Sequence, residues 1–299
     1  IVLTNENGVV KKRVEIPMVD APVEIVLEKI FSELKGLGKF RSVGIGIAGD
    51  IDSKNGILRF SPNIPKWVDV HLKKIFEKKL KTPTIIENDA NCASYGSFVV
   101  DGVRKYKNFI TVTLGTGIGG GIIINGELYR GSTGSAGEIG HITVNPDGPK
   151  CNCGNNGCLE AYIGTKGIMN TASKLGLKCA TPAIIADEAR NGDKQAIKVW
   201  EEFSKYLAVG VGALINIFNP DMISFFGGVS NNWDLIEKGF FDELKKRTFK
   251  SPFEHVKIIC SKDTGNLGAV GAALLAGDSV LESPRKRGVD GGWGIKKSG

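Results

Sequence analysis

The sequence predicts an α/β protein of two related lobes around a cleft, and three observations predict it. Strand and helix patterns alternate over residues 1–108, as in a sheet flanked by helices. A second strand system begins at Phe109, breaks at Gly115-Thr116-Gly117 and resumes at Gly119. A strand, glycine turn, strand device recurs in both halves, although no fixed-period repeat is present. At 299 residues and 41% hydrophobic, the chain is long enough to bury a core in each lobe. The expected division is 1–108 for the first lobe, 109–264 for the second lobe with a cysteine cluster, and 265–299 for a returning helix and a terminal segment.

The elements follow in order. Ile1 to Thr4 and Val9 to Ile16 read as a hairpin, with the Asn7-Gly8 pair supplying the positive φ of its turn. Val23, Val26, Ile30, Phe31 and Leu34 form one stripe of a helix from about Pro22 to Leu37. Val43 to Ala48 is a short buried strand, followed by a turn at Gly49-Asp50-Ile51-Asp52. A helix over 70–80, a strand over 84–87 and a helix over 90–99 complete the first lobe. Phe109 to Leu114, Gly119 to Ile124 and Glu127 to Arg130 are strands, the last two joined by an Asn125-Gly126 hairpin. A long helix spans about Asp193 to Phe218, and the strand Met222 to Phe226 ends in Gly227-Gly228. Gly268 to Leu275 is a small-residue helix able to pack closely on a sheet.

The formal charge of +7 comes from lysines spread along presumed helices, such as Lys73, Lys74, Lys78, Lys79 and Lys81, without interleaved aromatics. That pattern is a solvated helix face rather than a nucleic-acid patch, although a mildly basic surface also gathers anionic nucleotides. No run approaches the ~20 apolar residues of a membrane span. Ile1-Val2-Leu3-Thr4 lacks the basic and apolar stretches of a signal peptide. The expectation is a soluble cytoplasmic protein with no membrane or nucleic-acid partner.

Three of the six cysteines lie in Cys151-Asn152-Cys153-Gly154-Asn155-Asn156-Gly157-Cys158, with His141 ten residues ahead of the first. A disulfide between Cys151 and Cys153 would be strained, and cytosolic chains rarely keep one. Three thiolates and an imidazole instead make the closed tetrahedral shell of a structural zinc, with Gly154 and Gly157 permitting the tight turns. Cys92, Cys179 and Cys260 are isolated and read as ordinary buried residues.

Glu87-Asn88-Asp89 ends a strand and opens a helix, the sheet edge where ligands bind in open α/β folds. Read alone, Asp89 suits a helix N-cap better than a general base. Gly115 to Gly121 is a glycine-dense turn whose amides can approach phosphate oxygens, or else a tight structural hairpin. No Gly-Lys-Ser/Thr follows, so it is not a Walker loop. Gly227-Gly228 divides evenly between nucleotide approach and helix packing. Glu138 stands three residues before His141, and Glu160 two after Cys158. A metal joining these segments would hold both carboxylates toward one pocket, where they could accept hydrogen bonds from sugar hydroxyls.

Taken together, Glu87-Asn88-Asp89-Ala90-Asn91, the run Leu114 to Gly121, Gly137-Glu138-Ile139-Gly140-His141 and Cys151-x-Cys153-Gly-x-x-Gly157-Cys158-x-Glu160 resemble the ROK family of repressors, open reading frames and kinases. The resemblance runs from Ile1 to about Ala276, and the last two motifs together are highly specific. It implies an actin-like ATPase, ribonuclease H-like fold of two lobes with an interlobe cleft. Within the family the chain looks most like the bacterial glucokinases, which implies ATP-dependent transfer of the γ-phosphoryl to the 6-hydroxyl of a hexose, glucose first. Carried over by motif, Asp89 is the general base. Asn63, Asn88, Glu138, His141 and Glu160 bind sugar hydroxyls or hold the groups that do. Gly115, Thr116, Gly117, Gly227 and Gly228 face the nucleotide, and His141, Cys151, Cys153 and Cys158 hold the zinc. ATP, Mg2+ and structural Zn2+ are the implied cofactors, and a homodimer or homotetramer the implied assembly.

Family members open with a strand, then Asp-x-Gly-Gly-Thr, then a second strand, whereas this chain opens inside that second strand. Residues 287–299, read on into Ile1, resemble the missing hairpin, with Asp290, Gly291 and Gly292 on the phosphate side and Trp293 and Gly294 where threonine is expected. The segment order is therefore read as permuted, against a basic terminal tail. The rival functions are a sugar-responsive transcriptional repressor, which carries a helix-turn-helix ahead of the first strand, and a sugar-binding module without catalysis.

Overall fold

The computed structural model describes residues 1–17, 21–61, 63–100, 102–178, 181–261 and 266–282. Among them, the helix with the expected apolar stripe is α1 (Val23–Gly36), which buries Val26, Leu27, Phe31 and Leu34. These pack with Ile51, Leu58, Leu72 and Phe76 in the core of the first lobe. Its sheet strands are β1 (Val2–Thr4) and β2 (Val10–Arg13), an antiparallel pair, and β3 (Val43–Ile47) beside β7 (Thr84–Asn88), a parallel pair. In the first turn Gly8 alone takes positive φ, while the Asn5 side chain accepts from the Asn7 and Val9 N–H groups.

A three-stranded antiparallel sheet of β4 (Asp50–Asp52), β5 (Ile57–Phe60) and β6 (Val68–Val70) was not anticipated. Its strands are too short for alternation to show, and β6 takes the first residue assigned to the helix over 70–80. That helix, α2, spans Leu72–Leu80.

The second lobe is built on one five-stranded sheet ordered β10-β9-β8-β11-β12. Its strands are β8 (Phe109–Leu114), β9 (Ile118–Ile124), β10 (Glu127–Leu128), β11 (Met222–Phe226) and β12 (Lys257–Cys260). β11 runs parallel to both β8 and β12. Asn125 and Gly126 both take positive φ, as the two-residue hairpin between β9 and β10 requires. Against this sheet lie α4 (Glu160–Ile163), α5 (Thr165–Lys174), α6 (Pro182–Arg190), α7 (Lys194–Phe218), α8 (Trp233–Arg247) and α9 (Lys250–His255). The long helix starts where expected because the Asp193 carboxylate caps it, accepting from the Ala196 N–H at 2.8 Å. Trp200, Phe203, Leu207, Phe225 and Phe240 are buried in the common core.

Two helices join the lobes: α3 (Asp89–Val100) and α10 (Leu267–Glu282). They cross backbone to backbone. A Cβ on Gly271 would lie 1.7 Å from the Cys92 carbonyl oxygen, and one on Gly96 2.4 Å from that of Leu267. The same α10 presses on β3, where a Cβ on Gly44 would meet the Ala272 oxygen at 1.8 Å, so the expected packing of a small-residue helix on a sheet is present.

Cys92 is buried, whereas Cys260 is exposed, contrary to expectation, because β12 is the edge strand of its sheet. Cys179 lies outside the described residues, as do Asp290, Gly291, Gly292 and the whole of the segment read as permuted. No helix of the described residues is long and apolar enough to cross a membrane.

Candidate functional site

The strand β7 ends at Asn88, and the helix α3 begins at Asp89. The N-cap role expected of Asp89 belongs to Asn88, whose Oδ1 accepts from the Ala90 and Asn91 N–H groups at 2.9 and 3.2 Å. Asp89 therefore stands exposed in the first turn, accepting from the adjacent Ala90 N–H at 3.0 Å. Desolvation by the surrounding protein raises its pKa above the ordinary carboxylate value, and the Ala90 hydrogen bond opposes the rise.

One residue earlier, Glu87 points the other way and is 1% exposed. Its Oε1 accepts from Ser53 Oγ at 3.1 Å, Asn91 Nδ2 at 3.0 Å and the Asn88 N–H at 3.0 Å. Its Oε2 accepts from Arg130 Nε at 2.6 Å. Arg130 follows β10 in the second lobe, so this ion pair ties the strand carrying the catalytic candidate to the other lobe. Nothing in the sequence singled out Arg130, a lone base after a short strand. Glu87 was legible only as the first letter of a motif.

Asn88 also lines a pocket of about 210 Å³ with Gly49, Asp50, Asn91, Ser135 and Glu138. The structure thus brings Asn88 and Glu138 together, whereas His141 and Glu160, expected beside them, are not among the described residues lining that pocket. Asn63 is exposed in the turn after β5 and is not among the described residues lining that pocket.

His141 ends a short 3-10 turn, Ile139–His141, just after Glu138. One ligand atom each from His141, Cys151, Cys153 and Cys158 lies within 4.8 Å of the others. The Cys151 Sγ is 3.6 Å from His141 Nδ1, and the Cys153 and Cys158 Sγ atoms are 3.6 Å apart. A tetrahedron with metal bonds of about 2.0 to 2.3 Å has edges close to these separations, so the donor set fits a closed four-coordinate ion. The loop can fold so tightly because Gly157 takes φ +66°, at a point where any Cβ would lie 1.5 Å from the Asn145 carbonyl oxygen. With Nδ1 turned to the thiols, His141 presents Nε2 on its other side, 4.0 Å from a Glu138 carboxylate oxygen.

Glu160 opens α4 directly after the cysteine loop. Its Oε2 accepts from the Ile118 N–H at 2.9 Å, at the foot of the Gly115-Thr116-Gly117 turn. The Thr165 N–H bonds the Gly115 and Thr116 carbonyls, both at 3.2 Å. The cysteine loop and the glycine turn are therefore braced to one another through Glu160 and Thr165, a link that spacing alone did not reveal.

The glycines divide by role. Gly119, Gly120 and Gly121 lie inside β9, where a Cβ on Gly120 would strike Ile139 at 2.2 Å and one on Gly121 would strike Ser94 at 2.3 Å. These serve close packing rather than phosphate approach. Gly115 and Gly228, by contrast, border open space. Because Phe226 pairs with Thr113, the turn after β8 and the Gly227-Gly228 step after β11 emerge side by side at one edge of the second sheet.

A sequence profile of the ROK family matches residues 1–279. The chain belongs to the ROK family. Among its relatives, a glucokinase of Thermotoga maritima is 34% identical over 292 residues, covering 89% of this chain and 91% of that protein. A xylose repressor of Bacillus spizizenii is 32% identical over 240 residues, covering 80% of this chain but 62% of the repressor. In three dimensions, a ROK family glucokinase from Streptomyces griseus in complex with glucose and AMPPNP superposes with a TM-score of 0.76 at 30% identity, covering 93% of this chain and 95% of that one. The fold is the actin-like ATPase fold that the ROK motifs implied.

Proposed function

We propose that this ROK protein is an ATP-dependent hexose kinase, transferring the γ-phosphoryl group to the sugar 6-hydroxyl, with glucose as the sugar. The observation that carries the reading is the division of labour at the end of β7. Asn88 caps the helix, Glu87 is buried in a lobe-joining network, and Asp89 is left exposed at the end of β7 with a raised pKa. A carboxylate so placed can take the proton of an attacking hydroxyl. The relatives' activities, and the glucose and AMPPNP held by the Streptomyces griseus enzyme, point the same way.

In this reading Asn88 and Glu138 orient the sugar in the pocket they share, together with the Nε2–H of His141. Binding of Nδ1 to a metal leaves the ring proton on Nε2, making it a hydrogen-bond donor of fixed direction. His141, Cys151, Cys153 and Cys158 would hold a zinc ion, whose role there would be structural. Glu160 transmits the position of that knot to the Gly115-Thr116-Gly117 turn, which with Gly227-Gly228 receives the phosphates. Magnesium bound with the nucleotide spreads charge over the transferring phosphoryl group. Asp89 then accepts the proton as the hydroxyl attacks in line. Closure of the lobes excludes water, the competing acceptor.

The second reading, a sugar-responsive repressor, is favoured by the xylose repressor likeness alone. Purified protein assayed for ADP release against a panel of hexoses separates the two. Turnover with glucose above mannose, fructose and N-acetylated amino sugars supports the proposal, while sugar-dependent binding to an operator without turnover supports a repressor.

A further inference from the structure

A second cavity, which Asp89 lines, lies between the two halves of the first lobe. β1 is laddered only to β2, and β3 only to β7, among the described residues. The remaining edges of β1 and β3 face one another across an apolar slot of about 650 Å³. Its floor is the small-residue face of α10, with Gly268, Ala269, Ala272, Ala273 and Gly277, and its roof is Ile30 and Leu34 of α1, Leu37 just after it and Phe76 of α2. Such a gap, bounded by two strand edges and covered on both faces by helices, has the form of a missing central strand.

We propose that the slot is a strand-receiving site and that its occupant is this chain's own segment Val289 to Ile295. The chain leaves α10 at the slot, since Gly277, Asp278, Val280 and Leu281 all line it, and residues 283–299 follow. The eight residue steps from Leu281 to Val289 can span up to about 26 Å. Direction is set as well. The start of α10 lies at Asp89, where Gly268 approaches the Asp89 carbonyl, and its end lies by residues 39–41 ahead of β3. A strand returning from that end runs parallel to β3. It is antiparallel to β1, because Glu6 after β1 pairs with Arg41 before β3.

Composition matches each wall. In period-two alternation Gly292 and Gly294 share one face with Asp290, and Val289, Trp293 and Ile295 share the other with Gly291. The glycine face suits α10, which already presses so closely on β3 that Gly44 has no room for a Cβ. The Val289, Trp293 and Ile295 face suits the apolar roof.

The inference concerns the fold and does not rest on the kinase reading. Hydrogen exchange read by mass spectrometry on the full chain tests it. Amides of Val289 to Ile295 should exchange at least 100-fold more slowly than an unstructured peptide. Ending the chain at Glu282 should speed exchange in β1 and β3 at least tenfold, and a synthetic peptide of residues 283–299 should restore it. Free exchange in Val289 to Ile295 of the full chain overturns the proposal, whether or not the shortened protein folds. Protection that appears only with concentration-dependent dimerisation also overturns it, because the occupant is then a second copy's segment. So does rescue by a strand added ahead of Ile1 but not by the 283–299 peptide.

Discussion

Asp89 carries opposed demands, because the desolvation that makes it a stronger base also costs stability while it is ionised. Its folded-state pKa is raised, so its contribution to stability is fully present below the ordinary carboxylate pKa of ~3.9 and is lost as pH rises through the raised value. Asp89→Asn should therefore melt above the parent protein at neutral pH, and the difference should vanish when both are compared in acid. The same substitution should lower kcat about 1000-fold, within the range attributed to a positioned base, while leaving glucose affinity unchanged in calorimetry. The acid limb of the kcat/KM profile should report the raised pKa. Arg130 makes a contrasting case. Its loss leaves the Glu87 carboxylate, 1% exposed, without its only cationic partner among the described residues. Arg130→Ala should cost about 2 kcal/mol in urea unfolding, the scale of a hydrogen bond to a charged group.

At the scale of elements, the cysteine loop and the glycine turns are each held by contacts that the bare sequence half discloses. Ligand count and spacing pointed to His141, Cys151, Cys153 and Cys158, and the structure gathers their donor atoms within 4.8 Å of one another. That Glu160 grips the Ile118 N–H was not legible, since nothing in the spacing says which of two nearby turns a carboxylate will meet. Stripping the metal with a strong chelator should lower Tm by on the order of 10 °C and weaken glucose binding with it, because site geometry and folding share the ion. One zinc per chain should return on refolding with metal. Gly227 takes φ +108° and a Cβ there would lie 2.5 Å from the Leu114 carbonyl oxygen. Gly227→Ala should consequently raise the KM for ATP several-fold with little change in that for glucose, as steady-state kinetics in both substrates would show.

For the whole molecule, the two-lobed plan was readable because strand and helix periodicities alternate cleanly in long segments. What escaped was the sheet β4-β5-β6, whose three- and four-residue strands carry too little pattern, and the helices α5, α6, α8 and α9. The joining of the lobes by α3 and α10 was legible only as small residues in one helix. The sequence of α10 shows that it can approach a neighbour closely but not that Cys92 of α3 and Gly44 of β3 supply the backbones it touches. Likewise Asn88 and Glu138 are fifty residues apart and meet only because the turn after β3 and the loop after β10 close over the same pocket. As proposed, this cleft moves a phosphoryl group onto a sugar with Asp89 as base. Purified protein with Mg-ATP and glucose, followed by phosphorus NMR, tests it most directly. The parent chain should form glucose 6-phosphate while Asp89→Asn, still binding glucose, forms almost none. Equal product from both, or ATP left intact by the parent chain, would contradict it.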